Sequence, residues 1–197
     1  MDWNERYLEG ETPWEKGTHA PPLEEISAKL GVAVWGEGPV LVPGCGFGHD
    51  ARYIAAQGVV VEGLDVAELA VEGARARTEG ANPRFALGDF FEPRGDSVSA
   101  IFEHTCFCAI DPSQRQRYVE SAAKWLSPGG HLVAIFFLNP DHEGGPPHGC
   151  TLEELDGLFG ENFELVEEWL PELAYPGREG REMIRVLRRR AKSGDVT

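Results

Sequence analysis

Residues Gly38–Asp65 read GPVLVPGCGFGHDARYIAAQGVVVEGLD. An apolar run, Val40 to Val42, leads into a turn carrying Gly44, Gly46 and Gly48. A helix-forming segment follows, then a second apolar run and a terminal acid. Asp65 lies 21 residues after Gly44, which suits a strand–helix–strand unit whose acid meets a ribose hydroxyl. Glycine lets backbone approach a ligand closely, because no Cβ intervenes and positive φ is open to it. The helix starting near His49 would point its N-terminus at that ligand. The stretch therefore predicts a nucleoside-binding site.

The rest of the chain bounds this reading. Its 197 residues suit a single domain, residues 1–197, large enough to bury a sizeable core. A net charge of −15 argues against nucleic acid, because neutralising phosphates takes clustered Lys and Arg. The basic cluster Arg185, Arg188, Arg189, Arg190 and Lys192 reads as a solvated strand edge and tail. Cysteines 45, 106, 108 and 150 show no framework spacing, as expected of reduced thiols in a cytoplasmic protein. The opening MDWNERYLEGE has no signal-peptide character, and the longest apolar run, Leu132 to Leu138, is too short to span a bilayer. Neither a membrane nor a nucleic-acid partner is expected.

Taken in order, residues 2–10 form a short helix with Trp3 and Tyr7 on one face, ended by Thr12-Pro13. Leu23, Ile26, Leu30 and Val34 predict a helix from Leu23 to about Val34. Further helices are expected over Asp50–Gln57 (stopped by Gly58), Ala67–Arg77, Pro112–Leu126 (capped by Asp111) and Thr151–Phe159. In the last, Thr151 and Glu154 have the spacing of a capping box. Seven strands are expected, at 40–42, 59–64, 84–87, 97–103, 131–138, 163–170 and 183–190. This alternation predicts an α/β fold, a doubly wound, mostly parallel sheet with a terminal antiparallel hairpin at one edge. Ligands of such sheets lie at the carboxyl ends of the strands, here near Gly44, Asp65, Asp89, Glu103 and Asn139.

The glycine spacing G-C-G-F-G lacks the two-residue gap of a dinucleotide fingerprint, and the turn holds no Arg or Lys for phosphate. A cofactor with an adenosine and no pyrophosphate fits better, which points to S-adenosylmethionine. Asp65 would accept from ribose hydroxyls and Asp89 from an adenine amino group, with Phe90 packing the base and Glu103 beside the reacting end.

Several motifs carry a resemblance. They are Trp3-x3-Tyr7-x2-Gly10-x-Thr12-Pro13-Trp14-x2-Gly17, Val42-Pro43-Gly44-Cys45-Gly46-x-Gly48-x-Asp50, Gly63-Leu64-Asp65, Gly88-Asp89-Phe90-Phe91, Glu103-x4-Cys108-Ala109-Ile110, Pro128-Gly129-Gly130 and Gly145-Pro146-Pro147. From residue 3 to about 160 the chain resembles the thiopurine S-methyltransferase superfamily. Within it, the chain is most similar to thiol and halide methyltransferases of the plant "harmless to ozone layer" type. The resemblance implies a Rossmann-like methyltransferase sheet and S-adenosylmethionine contacts at Trp3, Tyr7, Trp14, Gly44, Asp65, Asp89 and Phe90. Gly46 and Glu103 are expected to join these cofactor contacts, with Glu103 and His104 as the catalytic pair and Trp14, His104 and His148 around the acceptor. Where the family has a tyrosine near the transferred methyl, this chain has His104. The implied reaction is methyl transfer to a small soft nucleophile: a thiol, bisulfide, thiocyanate or halide. A thiopurine-like aromatic thiol, a metalloid oxyanion and a non-catalytic nucleoside-binding role are the alternatives. No metal is expected, since His104, Cys106 and Cys108 on one extended segment give poor tetrahedral angles. Residues 1–22 are expected to form a lid that closes the site, and the enzyme to be a monomer. Without the resemblance, Trp3, Tyr7 and Trp14 read as a segment packing on the core. His142 and His148 read as solvated loop residues or a flap. Arg115, Arg117, Arg178 and Arg181 read as solvated, with Arg178 and Arg181 alternatively guiding an anionic substrate.

Overall fold

The computed structural model describes residues 1–95, 97–140 and 144–191. Among these, seven strands form one sheet: β1 (Val40–Pro43), β2 (Val61–Asp65), β3 (Arg84–Leu87), β4 (Val98–His104), β5 (Leu126–Phe137), β6 (Phe163–Trp169) and β7 (Glu182–Arg189). Their order across the sheet is β3-β2-β1-β4-β5-β7-β6. The strands from β3 to β5 run parallel, and β7 is antiparallel to both β5 and β6. The expected doubly wound sheet with a terminal antiparallel hairpin is present, with β7 inserted between β5 and the edge strand β6.

Alternation along the strands divides the apolar side chains between two cores. Val40, Val42, Ala100 and Phe102 face Leu23, Ile26, Trp35 and Ile54 on one side. Leu41 and Ile101 face Tyr118, Trp125 and Phe159 on the other. A strand covered on both faces reads as a continuous apolar run, which is why β1 stands out in the sequence.

The helices are α1 (Trp3–Glu9), α2 (Pro22–Leu30), α3 (His49–Ala55), α4 (Glu68–Ala76), α5 (Arg115–Trp125) and α6 (Leu152–Phe159). The helix expected to reach Val34 stops at Leu30, because Gly31 takes φ 61° and ψ −169°. The chain resumes as a 3-10 turn over Val32–Trp35. The expected 112–126 helix opens with a 3-10 turn over Pro112–Gln114, where Asp111 Oδ1 accepts from the Ser113 amide at 2.8 Å. Thr151 caps α6 by accepting from the Glu154 amide at 3.1 Å. Glu154 does not complete the box; its Oε1 accepts from Arg115 Nη1 at 2.6 Å instead.

Arg115 and Arg185, expected to be solvated, are buried. Arg115 is 3% exposed, donating also to the carbonyl oxygen of Gly149 at 2.9 Å, with its guanidinium over the Phe107 ring. Arg185 is 2% exposed and pairs with Glu168 at 2.5 Å and Asp156 at 2.9 Å, because β7 lies inside the sheet rather than at its edge. Arg188 keeps the expected exposed character, paired with Glu164 at 2.7 Å. Lys192 and His142 lie outside the described residues. Among the described residues, no helix is long and apolar enough to cross a membrane.

Candidate active site

β1 and β4 are neighbours at the point where strand order reverses, and β2 flanks β1. The loops leaving β1 and β4 bound a cavity of about 50 Å³ lined by Trp14, Gly44, Gly46, Asp50, His104 and Tyr175, among others. Its position is where open α/β sheets bind ligands.

The turn after β1 is built for close approach. Gly44 and Gly46 have φ of 57° and 52°, a left-handed conformation that disfavours side chains. A Cβ on Gly44 would sit 3.1 Å from Cys106 Cβ, and one on Gly46 would sit 3.2 Å from Tyr7 Oη. Asp65, at the end of β2, buttresses this turn: its Oδ2 accepts from the Gly46 amide and its Oδ1 from the Ala67 amide, both at 2.9 Å. Burial pushes the Asp65 carboxyl up, and the hydrogen bonds from these amides offset only part of that. A carboxylate accepts at about four lone-pair sites, so acceptor capacity remains for a ligand hydroxyl.

The N-terminal segment lies over the turn. Trp3 and Tyr7 meet Trp14 edge-on, with ring centroids 5.4 and 5.7 Å away, and Tyr7 reaches Phe47 at 5.2 Å. Trp14 Nε1 donates to Tyr7 Oη at 3.2 Å. Asn4 Oδ1 accepts from the Leu69 amide at 2.9 Å, supplying the first turn of α4 with an acceptor that its cap residue, Ala67, lacks. Glu15 Oε1 lies 2.8 Å from His49 Nε2. Trp3, Tyr7, Trp14 and Phe47 thus form one aromatic cluster beside the turn.

His104 lines the cavity from the end of β4. Its Nδ1 is 3.0 Å from Asp50 Oδ2, and Asp50 Oδ1 accepts from the Ala20 amide at 2.7 Å. Burial pushes the Asp50 carboxyl up; its pairing with His104 and the hydrogen bond from the Ala20 amide outweigh it and hold the group below its ordinary value. His104 Nε2 is 3.5 Å from Arg178 Nη1, which donates to Glu182 Oε1 at 2.9 Å. Tyr175 stacks near His104, centroid to centroid 6.1 Å. Next to His104, Thr105 has φ 68°, a left-handed strain that tends to gather at functional sites. Arg178 is thus no solvated loop residue. Sequence reasoning missed Asp50, Tyr175 and Arg178 as neighbours of His104; Asp50 alone had a signal, as the last position of the glycine-turn motif.

Three expected site residues stand elsewhere. Glu103 points away from His104, because successive strand residues face opposite sides of the sheet. It is 1% exposed, accepting from the Phe107 amide at 2.8 Å and from the Tyr118 hydroxyl, so the place expected for it beside the reacting end is corrected to a buried one under α5. The Phe90 ring lies in the core between Tyr118 and Trp125, centroids 4.8 and 6.4 Å away, and not in position to pack a base. His148 is held through its backbone, its amide donating to the Cys108 carbonyl at 2.7 Å, and does not line the cavity. Asp89 is half-buried beyond β3, with Oδ1 accepting from the Phe91 amide at 2.8 Å.

Residues 1–169 match the family model described as thiopurine S-methyltransferase. The chain belongs to this family. Thiocyanate methyltransferase 1 of Brassica oleracea is 36% identical, over 92% of this chain and 82% of the relative. A probable thiol methyltransferase 2 of Arabidopsis thaliana is 32% identical over the same shares. Among solved structures, 1,6-didemethyltoxoflavin-N1-methyltransferase of Burkholderia thailandensis, solved with S-adenosylhomocysteine, superposes with a TM-score of 0.75 at 20% identity, covering 96% of this chain and 86% of that one. An N-methyltransferase of Bradyrhizobium japonicum gives 0.72 at 20%, covering 95% and 96%. At these identities the two structures speak for the fold.

This member of the thiopurine S-methyltransferase family is an S-adenosylmethionine-dependent methyltransferase. Its residues suit that cofactor: a Cβ at Gly46 would crowd the cradle beneath Tyr7, and Asp65 offers acceptors beside it. Among the described residues, no three His, Cys, Asp or Glu side chains converge as metal ligands.

Proposed function

We propose that this protein methylates a small soft nucleophile: a thiol, bisulfide, thiocyanate or halide. The observation that carries the reading is the adjacency of the Asp65–glycine cradle and the His104 pocket, both under the aromatic N-terminal segment. When bound, S-adenosylmethionine supplies an electrophilic methyl group on a sulfonium sulfur. Gly44 and Gly46 admit it, Asp65 accepts from its ribose and Asp89 from its adenine. The ring faces of Trp3, Tyr7 and Trp14 attract its positive charge, worth about 0.5–2 kcal/mol. His104 and Trp14 hold the acceptor in line with the methyl, and positioning is most of what such a displacement requires.

Residues 1–22 act as a lid on a single-domain enzyme. The 50 Å³ cavity beneath them is far below the roughly 300–1,000 Å³ of small-molecule sites, so the segment swings out to admit the cofactor. The acidic charge and the free cysteines support a cytoplasmic monomer with neither nucleic-acid nor membrane partners. The names of the plant relatives favour a small sulfur acceptor.

Calorimetry with S-adenosylhomocysteine tests the cofactor site; no heat and no thermal shift overturn it. Turnover on bisulfide, thiocyanate, iodide, an aromatic thiol and tellurite then identifies the acceptor. Preference for the aromatic thiol or tellurite replaces this reading, and binding without turnover leaves a nucleoside-binding protein.

A further inference from the structure

We propose that His104 is the general base for a protonated thiol acceptor, taking the S–H proton on Nε2. This rests on the pocket being a methyl-transfer site. The two polar neighbours of the imidazole select one tautomer. The Asp50 carboxylate, 3.0 Å from Nδ1, can only accept, so Nδ1 carries the hydrogen. The Arg178 guanidinium, 3.5 Å from Nε2, can only donate, so Nε2 presents its lone pair. Asp50 is itself fixed by the Ala20 amide, and Tyr175 stacks against the ring, so the imidazole is aimed as well as protonated correctly.

The groups facing His104 come from every element around it. Asp50 reaches it from α3, Tyr175 and Arg178 from the connection before β7, and Glu182 from β7 behind Arg178. Glu103, the preceding residue of β4, is spent on Tyr118 and Phe107. Glu182 holds Arg178 Nη1 at 2.9 Å, shorter than its contact with Nε2, so a thiol can take the looser place beside the ring.

A thiol has an ordinary pKa of about 8.5 and is mostly protonated at neutral pH, whereas thiocyanate and iodide have no proton to lose. In the step, the thiol proton moves to Nε2 as the sulfur forms its bond to the methyl carbon. The electron pair of the bond that breaks stays on the departing sulfur, which becomes neutral. Asp50 stabilises the imidazolium until its proton passes to water. An imidazole with a free lone pair takes a proton readily near neutral pH, so His104 suits thiols that must be deprotonated.

The test compares the full-length wild type and H104Q, each with S-adenosylmethionine, on 2-mercaptoethanol and thiocyanate. The ratio of thiol to thiocyanate turnover near pH 7 should fall by about a hundredfold in H104Q, the usual scale of general-base catalysis. That deficit should shrink as the pH rises past the thiol's own pKa. Equal losses on both acceptors, or no loss on thiols, overturn the proposal. Nitrogen-15 NMR of the histidines with S-adenosylhomocysteine bound, assigned with H104Q, gives a second readout. A neutral Nδ1–H tautomer is expected, and an Nε2–H tautomer overturns the base. If the wild type methylates no acceptor, the methyl-transfer reading fails, and the tautomer still decides whether His104 is set up to accept a proton.

Discussion

Asp50 Oδ2 and His104 Nδ1 stand 3.0 Å apart across 54 residues of chain, joining the first turn of α3 to the end of β4. Asp50 also holds the Ala20 amide, so one carboxylate ties the N-terminal segment, the start of α3 and the end of β4 together. Replacing Asp50 by Ala leaves both partners unmatched and should lower stability by about 1–3 kcal/mol near neutral pH. The folded carboxyl is held below its ordinary value. Its contribution is therefore complete above the unfolded value of about 3.9 and is lost as pH falls through the lower folded value. Thermal melts of wild type and Asp50→Ala should converge in strong acid; a gap that is the same at all pH values would remove this account.

Asp65 braces the glycine turn after β1 through the Gly46 amide, and in the proposed function it accepts from the cofactor's ribose. Asp65→Ala should weaken S-adenosylhomocysteine binding by about 1–3 kcal/mol, the loss of a charged hydrogen bond. Calorimetry measures this directly, and an unchanged affinity would move the ribose contact to another residue.

The proposed lid is tied down by Asn4, whose side chain serves the Leu69 amide at the start of α4. Asn4→Ala should cost about 1 kcal/mol of docking, as loss of a helix cap does. Limited proteolysis within residues 10–17 should speed up in the variant, and S-adenosylhomocysteine should slow it. Identical cleavage rates with and without these changes would mean that the segment does not open.

Glu103 lies under α5 with the Tyr118 hydroxyl and the Phe107 amide. Glu103→Leu should destabilise the fold by about 3 kcal/mol, because buried donors are left unsatisfied. Denaturant titration reads the loss. A variant with wild-type stability and lost cofactor affinity would return Glu103 to the site.

The order of helices and strands, the doubly wound sheet and the glycine turn after β1 were all legible in the residues alone. Those signals are local: apolar runs mark strands covered on both faces, and Gly44 and Gly46 mark backbone held at positive φ. Even the end of α2 had its cause, Gly31, in view. The tertiary structure alone decided which polar side chains meet. Glu103 and His104 are neighbours in the chain, yet strand alternation sends one under α5 and the other to the cavity. The insertion of β7 between β5 and β6 buries Arg185, which reads as solvated in a basic tail. Arg178 reaches His104 from a connection with no periodic pattern, 74 residues away. Periodicity says which face a residue takes, whereas a charge or proton partner depends on chain segments brought together only by folding.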